Sequence, residues 1–185
     1  MSAARPVKRT YLDYNASAPL RSEARDAVVA AMEVGNPSSI HSEGRAARAI
    51  VETARADVAR IAGVPARSVT FVSGATEALN AALNPRFGVK PDEPPLDRLI
   101  VSAGEHPCVL SGHRFPTSVV EVAPLRPDGR IDLEWLTEAC QRPGRMLLAL
   151  QGANNETGVV QPVAEASAIV HAAGGFVVCD AVQLP

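Results

Sequence analysis

Apolar and polar positions follow two rhythms along this chain, and the change between them falls near residue 68. Before it, apolar residues recur at helical spacing. Ser22–Val34 (SEARDAVVAAMEV) predicts a helix that Gly35-Asn36-Pro37 ends. His41–Gly63 predicts a long helix with apolar positions at Ala46, Ala49, Ile50, Ala54, Val58 and Ile61. Its arginine-rich opposite face reads as solvated, and Gly63 is its C-terminal stop. After residue 68, short aliphatic runs predict strands at Ser68–Ser73, Arg98–Ala103, Ser118–Pro124, Arg145–Gln151 and Gly175–Asp180. Helical stretches lie between them, at Ala75–Leu83, His106–Phe115, Asp132–Cys140 and Pro162–Ala173. Strand alternating with helix marks an α/β fold, a three-layer α/β/α arrangement around a mostly parallel sheet. The strands are nearly continuous in apolar character, as expected when both faces are covered. Asn84–Asp97 is a proline-rich surface connection, and there is no internal repeat.

Such sheets bind ligands at the carboxyl ends of their strands. Four polar clusters fall there: Ser73-Gly74-Ala75-Thr76-Glu77, Gly104-Glu105-His106-Pro107, Gln151 through Gly158, and Asp180-Ala181-Val182-Gln183. The first places small residues at a strand-to-helix turn, where unpaired N–H groups suit a phosphate and Thr76 adds a hydroxyl. Ser73 or Thr76 serves equally as a plain helix cap. His106 offers a general base or a flat surface for an aromatic ligand, and reads also as a capping or surface histidine. Asn154 and Asn155 suit either a ligand oxygen or a loop stitched by its own amides. Asp180 is the sharpest feature. A carboxylate at the end of FVVC is costly to desolvate unless a cation or donors meet it, and no lysine or arginine is near in sequence. A cationic ring nitrogen answers that problem, and the alternative is a cap for the next helix. Together the clusters describe a cofactor with a phosphate, a flat ring, a ring oxygen and a basic ring nitrogen.

Composition narrows the partners. The 185 residues are 46% apolar and 21% charged with a net charge of −2, which argues against disorder and against a nucleic-acid binder. Aromatics at 4% leave little for base stacking. There is no apolar run of membrane-spanning length. The basic start, MSAARPVKRTYLD, is followed by no apolar segment, so no signal peptide is expected. Cys108, Cys140 and Cys179, widely spaced and odd in number, suggest reduced thiols and a cytoplasmic location. His106, Cys108 and His113 lack paired metal-ligand spacing, so no metal site is expected.

Seven stretches resemble the cysteine desulfurase family, within the class V aminotransferases of the fold-type I pyridoxal phosphate enzymes. They are YLDYNASAPL, GNPSSIHSEGRAAR, FVSGATEALN, GEHPCVL, PDGRIDLEWL, ANNETGVVQPV and CDAVQ, in family order over nearly the whole chain. The resemblance implies pyridoxal 5′-phosphate as cofactor. It implies that Ala75 and Thr76 bind the phosphate, and that His106 stacks on the ring and assists proton transfer. Asn155 would contact the ring hydroxyl oxygen and the substrate carboxylate region, Asp180 would pair with the pyridinium nitrogen, and Gln183 would bond the ring hydroxyl. The family reaction takes sulfur from L-cysteine, leaving alanine and an enzyme persulfide for iron–sulfur cluster or thio-cofactor synthesis. A sulfur-acceptor or scaffold protein and a homodimer are implied for the complete enzyme.

The resemblance covers about the N-terminal half of the family pattern. Residues 1–20 would belong with the small domain and residues 21–185 with an incomplete large domain. The lysine that forms the Schiff base follows a Ser-x-His-Lys motif absent from this sequence, and the nucleophilic cysteine lies further on. Cys108 and Cys179 stand where the family has no nucleophile, and Lys8 and Lys90 stand outside its motifs. The chain alone is therefore expected not to desulfurate cysteine. The strand SVTFV is expected to lose its family neighbours, and exposed apolar faces are expected to favour association. The alternatives are another class V enzyme such as a selenocysteine lyase, a non-catalytic remnant of the fold, or half of a split enzyme.

Overall fold

A computed structural model of the chain describes residues 10–184. The basic N-terminal residues, Lys8 among them, and Pro185 lie outside the described residues. The chain forms two compact units, one ending at Phe71 and the other starting at Val72.

The first unit contains α1 (Ser22–Met32) and α2 (Ser42–Ala62). His41 caps α2 by accepting from the Gly44 N–H, and Gly63 ends it in the left-handed region at φ 67°. Gly44 is needed for a close approach, since a Cβ there would lie 2.2 Å from the Ser39 carbonyl oxygen. Several apolar side chains of this unit are exposed, including Val29, Met32, Ile40 and Ile61. The predicted strand Ser68–Ser73 does not form. Ser68 closes a short 3-10 turn (Ala66–Ser68), and the residues after it join no ladder. Arg55 holds part of that segment instead, donating to the Val69 carbonyl at 2.6 Å and stacking 5.0 Å from the Phe71 ring centre. An apolar run becomes a strand only where a neighbour takes its N–H and C=O groups. No described segment offers one here.

The second unit holds α3 (Ala75–Ala82), β1 (Arg98–Ser102), α4 (Pro107–Leu110), β2 (Val120–Ala123), α5 (Leu133–Cys140), β3 (Met146–Gln151), α6 (Val163–Ala172) and β4 (Phe176–Asp180). The sheet is wholly parallel, in the order β2-β1-β3-β4. Both central strands are buried at every residue, and their side chains alternate between two cores. Ile100, Leu148 and Leu150 pack with Leu136, Ala139, Ala166 and Val170 from α5 and α6. Leu99, Val101, Leu147 and Ala149 pack with Leu79, Leu83 and Val109 from α3, α4 and the chain between them. This period-two division is what helices on both faces require. It makes the unit a three-layer α/β/α fold, as the strand–helix alternation implied. The helix expected over His106–Phe115 is only one turn long. Beyond it the chain turns away so that the Arg114 N–H bonds the Leu83 carbonyl at 2.8 Å and Phe115 enters the core.

At the amino end of the sheet, Arg98 is nearly buried. Its guanidinium donates to Glu121 Oε1 at 2.6 and 2.8 Å, to the Ala139 carbonyl at 3.0 Å and to the Arg142 carbonyl at 3.1 Å. Arg142 completes the cluster at 2.5 Å from the other Glu121 oxygen. Among the described residues no helix is long and apolar enough to cross a membrane. Removing one partner of a buried, hydrogen-bonded ion pair strands the other. Arg98→Ala is therefore expected to lower unfolding free energy by about 3–5 kcal/mol, read from urea denaturation. A loss below about 1 kcal/mol, the range of surface pairs, would contradict this reading.

Candidate functional site

The connection leaving β1 runs through α4 on one face of the sheet, and the connection leaving β3 runs through α6 on the other. Adjacent parallel strands whose connections diverge open a crevice beyond their carboxyl ends. The polar clusters after β1, β3 and β4 lie at this end of the unit, and Thr76 in the first turn of α3 joins them through its hydrogen bond to Cys108.

Ala75 and Thr76 form the first turn of α3 and are exposed. Gly74 precedes the helix, and no side chain caps it. Ser73 does not act as a cap. Its N–H and hydroxyl both donate to Glu77, at 2.7 and 2.6 Å, and the hydroxyl bond is the chief cause of the lowered Glu77 pKa. The leading N–H groups of α3 thus remain available to an anion.

His106 is the N-cap of α4, with Pro107 fixing the first turn. Its Nδ1 accepts from the Cys108 N–H at 3.2 Å and lies 3.0 Å from the Cys108 sulfur. The capping role and a ligand role are compatible, because the cap uses Nδ1 and the ring is exposed. Burial first, then the Asp180 charge, pushes the Cys108 thiol pKa up, against an opposing Thr76 hydrogen bond. The Cys179 thiol is pushed up by burial and by Asp180. Neither cysteine has the thiolate character of a nucleophile.

The structure separates the two asparagines. Asn154 stitches the loop: its Oδ1 accepts from the Glu156 N–H (2.9 Å), the Thr157 N–H (2.9 Å) and the Thr157 hydroxyl (3.1 Å). Its Nδ2 donates to the Gly104 carbonyl at 3.1 Å. Asn155, half-buried, donates to Glu156 at 2.7 Å. Asp180 ends β4 half-buried, and its Oδ1 accepts from the Val182 N–H at 3.0 Å. Gln183 follows in the same turn, half-buried. Among the described residues no lysine or arginine pairs with Asp180. Lys90 pairs with Glu93 at 3.7 Å in the proline-rich connection. Among the described residues no group of three or more acidic, histidine or cysteine side chains is arranged to hold a metal ion.

Sequence reasoning passed over Glu105. Its carboxyl is 5% exposed, Oε1 accepts from the Gln151 N–H at 2.7 Å, and Oε2 is buried without a partner. Burial, with a further push from Asp180 and an opposing bond from Gln151, raises its pKa from 4.5 to about 7. The signal that marked Asp180, an acid at the end of an apolar strand, was present here too.

Because the folded value lies above the unfolded one, the native state keeps a proton that the unfolded chain loses. Stability therefore falls as pH rises from 4.5 to about 7 and levels off above. Glu105→Gln, which mimics the protonated acid, is expected to gain on the wild-type chain by about 2–3 kcal/mol between about pH 5 and about pH 8. Urea midpoints at the two pH values measure it, and a gap between the chains that ignores pH would contradict it.

Known proteins share this fold. The Aminotransferase class-V family model matches residues 10–184. A cysteine desulfurase of Cereibacter sphaeroides is 37% identical over 184 residues, which is 96% of this chain and 46% of the relative. Cysteine desulfurase IscS of Rickettsia bellii is 36% identical, over 94% of this chain and 43% of its own length. Among solved structures, a NifS-like protein from Rickettsia africae superposes with a TM-score of 0.82 at 30% identity, over 94% of this chain and 48% of that one. SspA in complex with cysteine gives a TM-score of 0.79 at 28% identity, over 92% of this chain and 50% of that one. The chain thus spans about half the length of the relatives it matches, or less. With its parallel sheet and the family model matched from residue 10 to residue 184, the chain belongs to the class V aminotransferase family.

Proposed function

We propose that this chain is the cofactor-contacting part of a cysteine desulfurase-like enzyme that uses pyridoxal 5′-phosphate. The observation that carries the reading is the set of groups gathered at one end of the sheet. An uncapped helix N-terminus suits a phosphate, an exposed imidazole suits a flat ring, and a carboxylate with no lysine or arginine paired to it among the described residues suits a ring nitrogen. That donor set fits the cofactor. When bound, the cofactor supplies an electron sink for bond breaking next to the substrate amine.

The chain's own residues have distinct parts in this reading. Ala75 and Thr76 present N–H groups and a hydroxyl to the phosphate. Asp180, whose Oδ1 also accepts from the Val182 N–H, would hold the ring nitrogen in its protonated form. His106 keeps Nδ1 in its cap, and its exposed ring would stack on the cofactor and assist proton transfer. Asn155 and Gln183 serve the ring oxygen, and Asn155 also the substrate carboxylate. L-cysteine is the proposed substrate, in keeping with the cysteine bound in the SspA structure. A lysine to anchor the cofactor and a cysteine to receive the sulfur are missing from these motifs and would come from outside this sequence. A homodimer, a sulfur-acceptor protein and a cytoplasmic location belong to the same proposal.

Pyridoxal 5′-phosphate is therefore expected to bind this chain reversibly, with no borohydride-trapped lysine adduct at the site. Asp180→Ala is expected to weaken binding by about tenfold or more, and Thr76→Ala by less, in an absorbance or fluorescence titration. No binding, or equal binding by wild type and Asp180→Ala, would refute the reading. L-cysteine incubated with the loaded chain is expected to yield no alanine by amino-acid analysis.

A further inference from the structure

One buried acid at the strand ends has no part in that reading. Glu105 Oε1 takes the Gln151 N–H, and the Gln151 side-chain amide returns a bond to the Gly104 carbonyl. The same carbonyl takes Asn154 Nδ2 at 3.1 Å. Three bonds thus cross the seam between β1 and β3. Gly104 and Glu105 immediately precede His106, and Asn154 immediately precedes Asn155. On its other side Gln151 is the register partner of Asp180, and the Gly152 N–H donates to the Asp180 carbonyl at 2.7 Å. Glu105 and Asp180 therefore reach the same β3 residue from the two neighbouring strands.

We propose that Glu105 is a positioning residue of this site: its buried carboxyl ties the His106 turn to the end of β3, from which the Asn155 loop departs, and its protonation is linked to the charge held at Asp180. The second half rests on the cofactor reading above, because a ring nitrogen is the cation assigned to Asp180.

The physical case is one of uncompensated charge. The titratable neighbours are Asp180 and Cys179 on β4, and Cys108 with its contact His106 at α4; Gln151 on β3 is neutral. Glu156 in the following loop is exposed and bonded to Asn155. Among the described residues no lysine or arginine is ion-paired with either acid. Oε2 is buried with no donor, so an ionised Glu105 leaves a charged oxygen unsatisfied beside a second carboxylate. Burial is the main reason Glu105 holds its proton, and the Asp180 charge adds to it. A cation at Asp180 removes that added part, so the O–H proton on Oε2 is given up to bulk water at a lower pH than before. No bond other than that O–H breaks, and the tie through Oε1 persists in both states.

The test uses the full chain labelled with carbon-13 at the glutamate carboxyls and followed by NMR across pH. One resonance is expected to titrate with a midpoint of about 7 and to be absent in Glu105→Gln. In Asp180→Asn its midpoint is expected to fall, with burial still holding it above 4.5. If every glutamate titrates in the ordinary range, or if Asp180→Asn leaves the Glu105 midpoint in place, the linkage is wrong. Amide exchange over Asn154–Gly158 tests the positioning half. Glu105→Ala is expected to speed it by about tenfold, and Glu105→Gln, which retains the acceptor, to keep it near wild type. Equal exchange in all three chains overturns that half. These measurements need no ligand, so failure of pyridoxal 5′-phosphate to bind would count against the proposed function alone. Where it does bind, a Glu105 midpoint that does not fall overturns the linkage.

Discussion

β1 and β3 pair in parallel over Arg98–Val101 and Met146–Ala149, and both are buried along their whole length. Every residue of these strands must satisfy its backbone through a neighbour and its side chain through a helix. That constraint forces helices onto both faces. Because the connections leave the two strands toward opposite faces, the β1–β3 seam is the topological switch point at which such sheets bind ligands. The Arg98–Glu121–Arg142 cluster secures the amino end of the sheet, and the Glu105–Gln151–Gly104 bonds secure the carboxyl end. The first is closed on itself. The second leaves Glu105 Oε2 buried without a partner.

Much of the second unit was legible in the sequence because its signals are redundant. Runs such as RMLLALQ and RLIVSA are apolar at both parities, so they read as strands covered on two faces. The sheet order, however, came only from the structure. The segment SVTFVS carries the same composition and forms no strand, because composition states what a strand would bury and not whether a partner stands beside it. His106–Phe115 read as a helix through its proline start and apolar positions. It is cut to one turn because Arg114 finds its backbone partner at Leu83 and Phe115 its packing in the core.

The candidate site was legible as a list and not as a network. Placement at predicted strand ends drew attention to Thr76, His106, the Asn154–Asn155 pair and Asp180, and the family resemblance added Ala75 and Gln183 and chose Asn155. Both asparagines suit the loop locally, and the bond from Asn154 to the Gly104 carbonyl, which ties the loop to the β1 end, is one that no local pattern encodes. Glu105 was hidden by its neighbours, since a histidine beside it drew the functional reading. Its meaning rests on Gln151, whose N–H reaches it from another strand.

The central claim is that the groups at the carboxyl ends of this sheet form one cofactor site. Amide shifts of the nitrogen-15-labelled chain, recorded before and after addition of pyridoxal 5′-phosphate, test it most directly. The expected result is a single set of perturbed residues comprising the first turn of α3, the His106 turn, the Asn154–Gly158 loop and Asp180–Gln183. Perturbations that miss these four segments, or that centre on Lys90 and the proline-rich connection, would contradict the account.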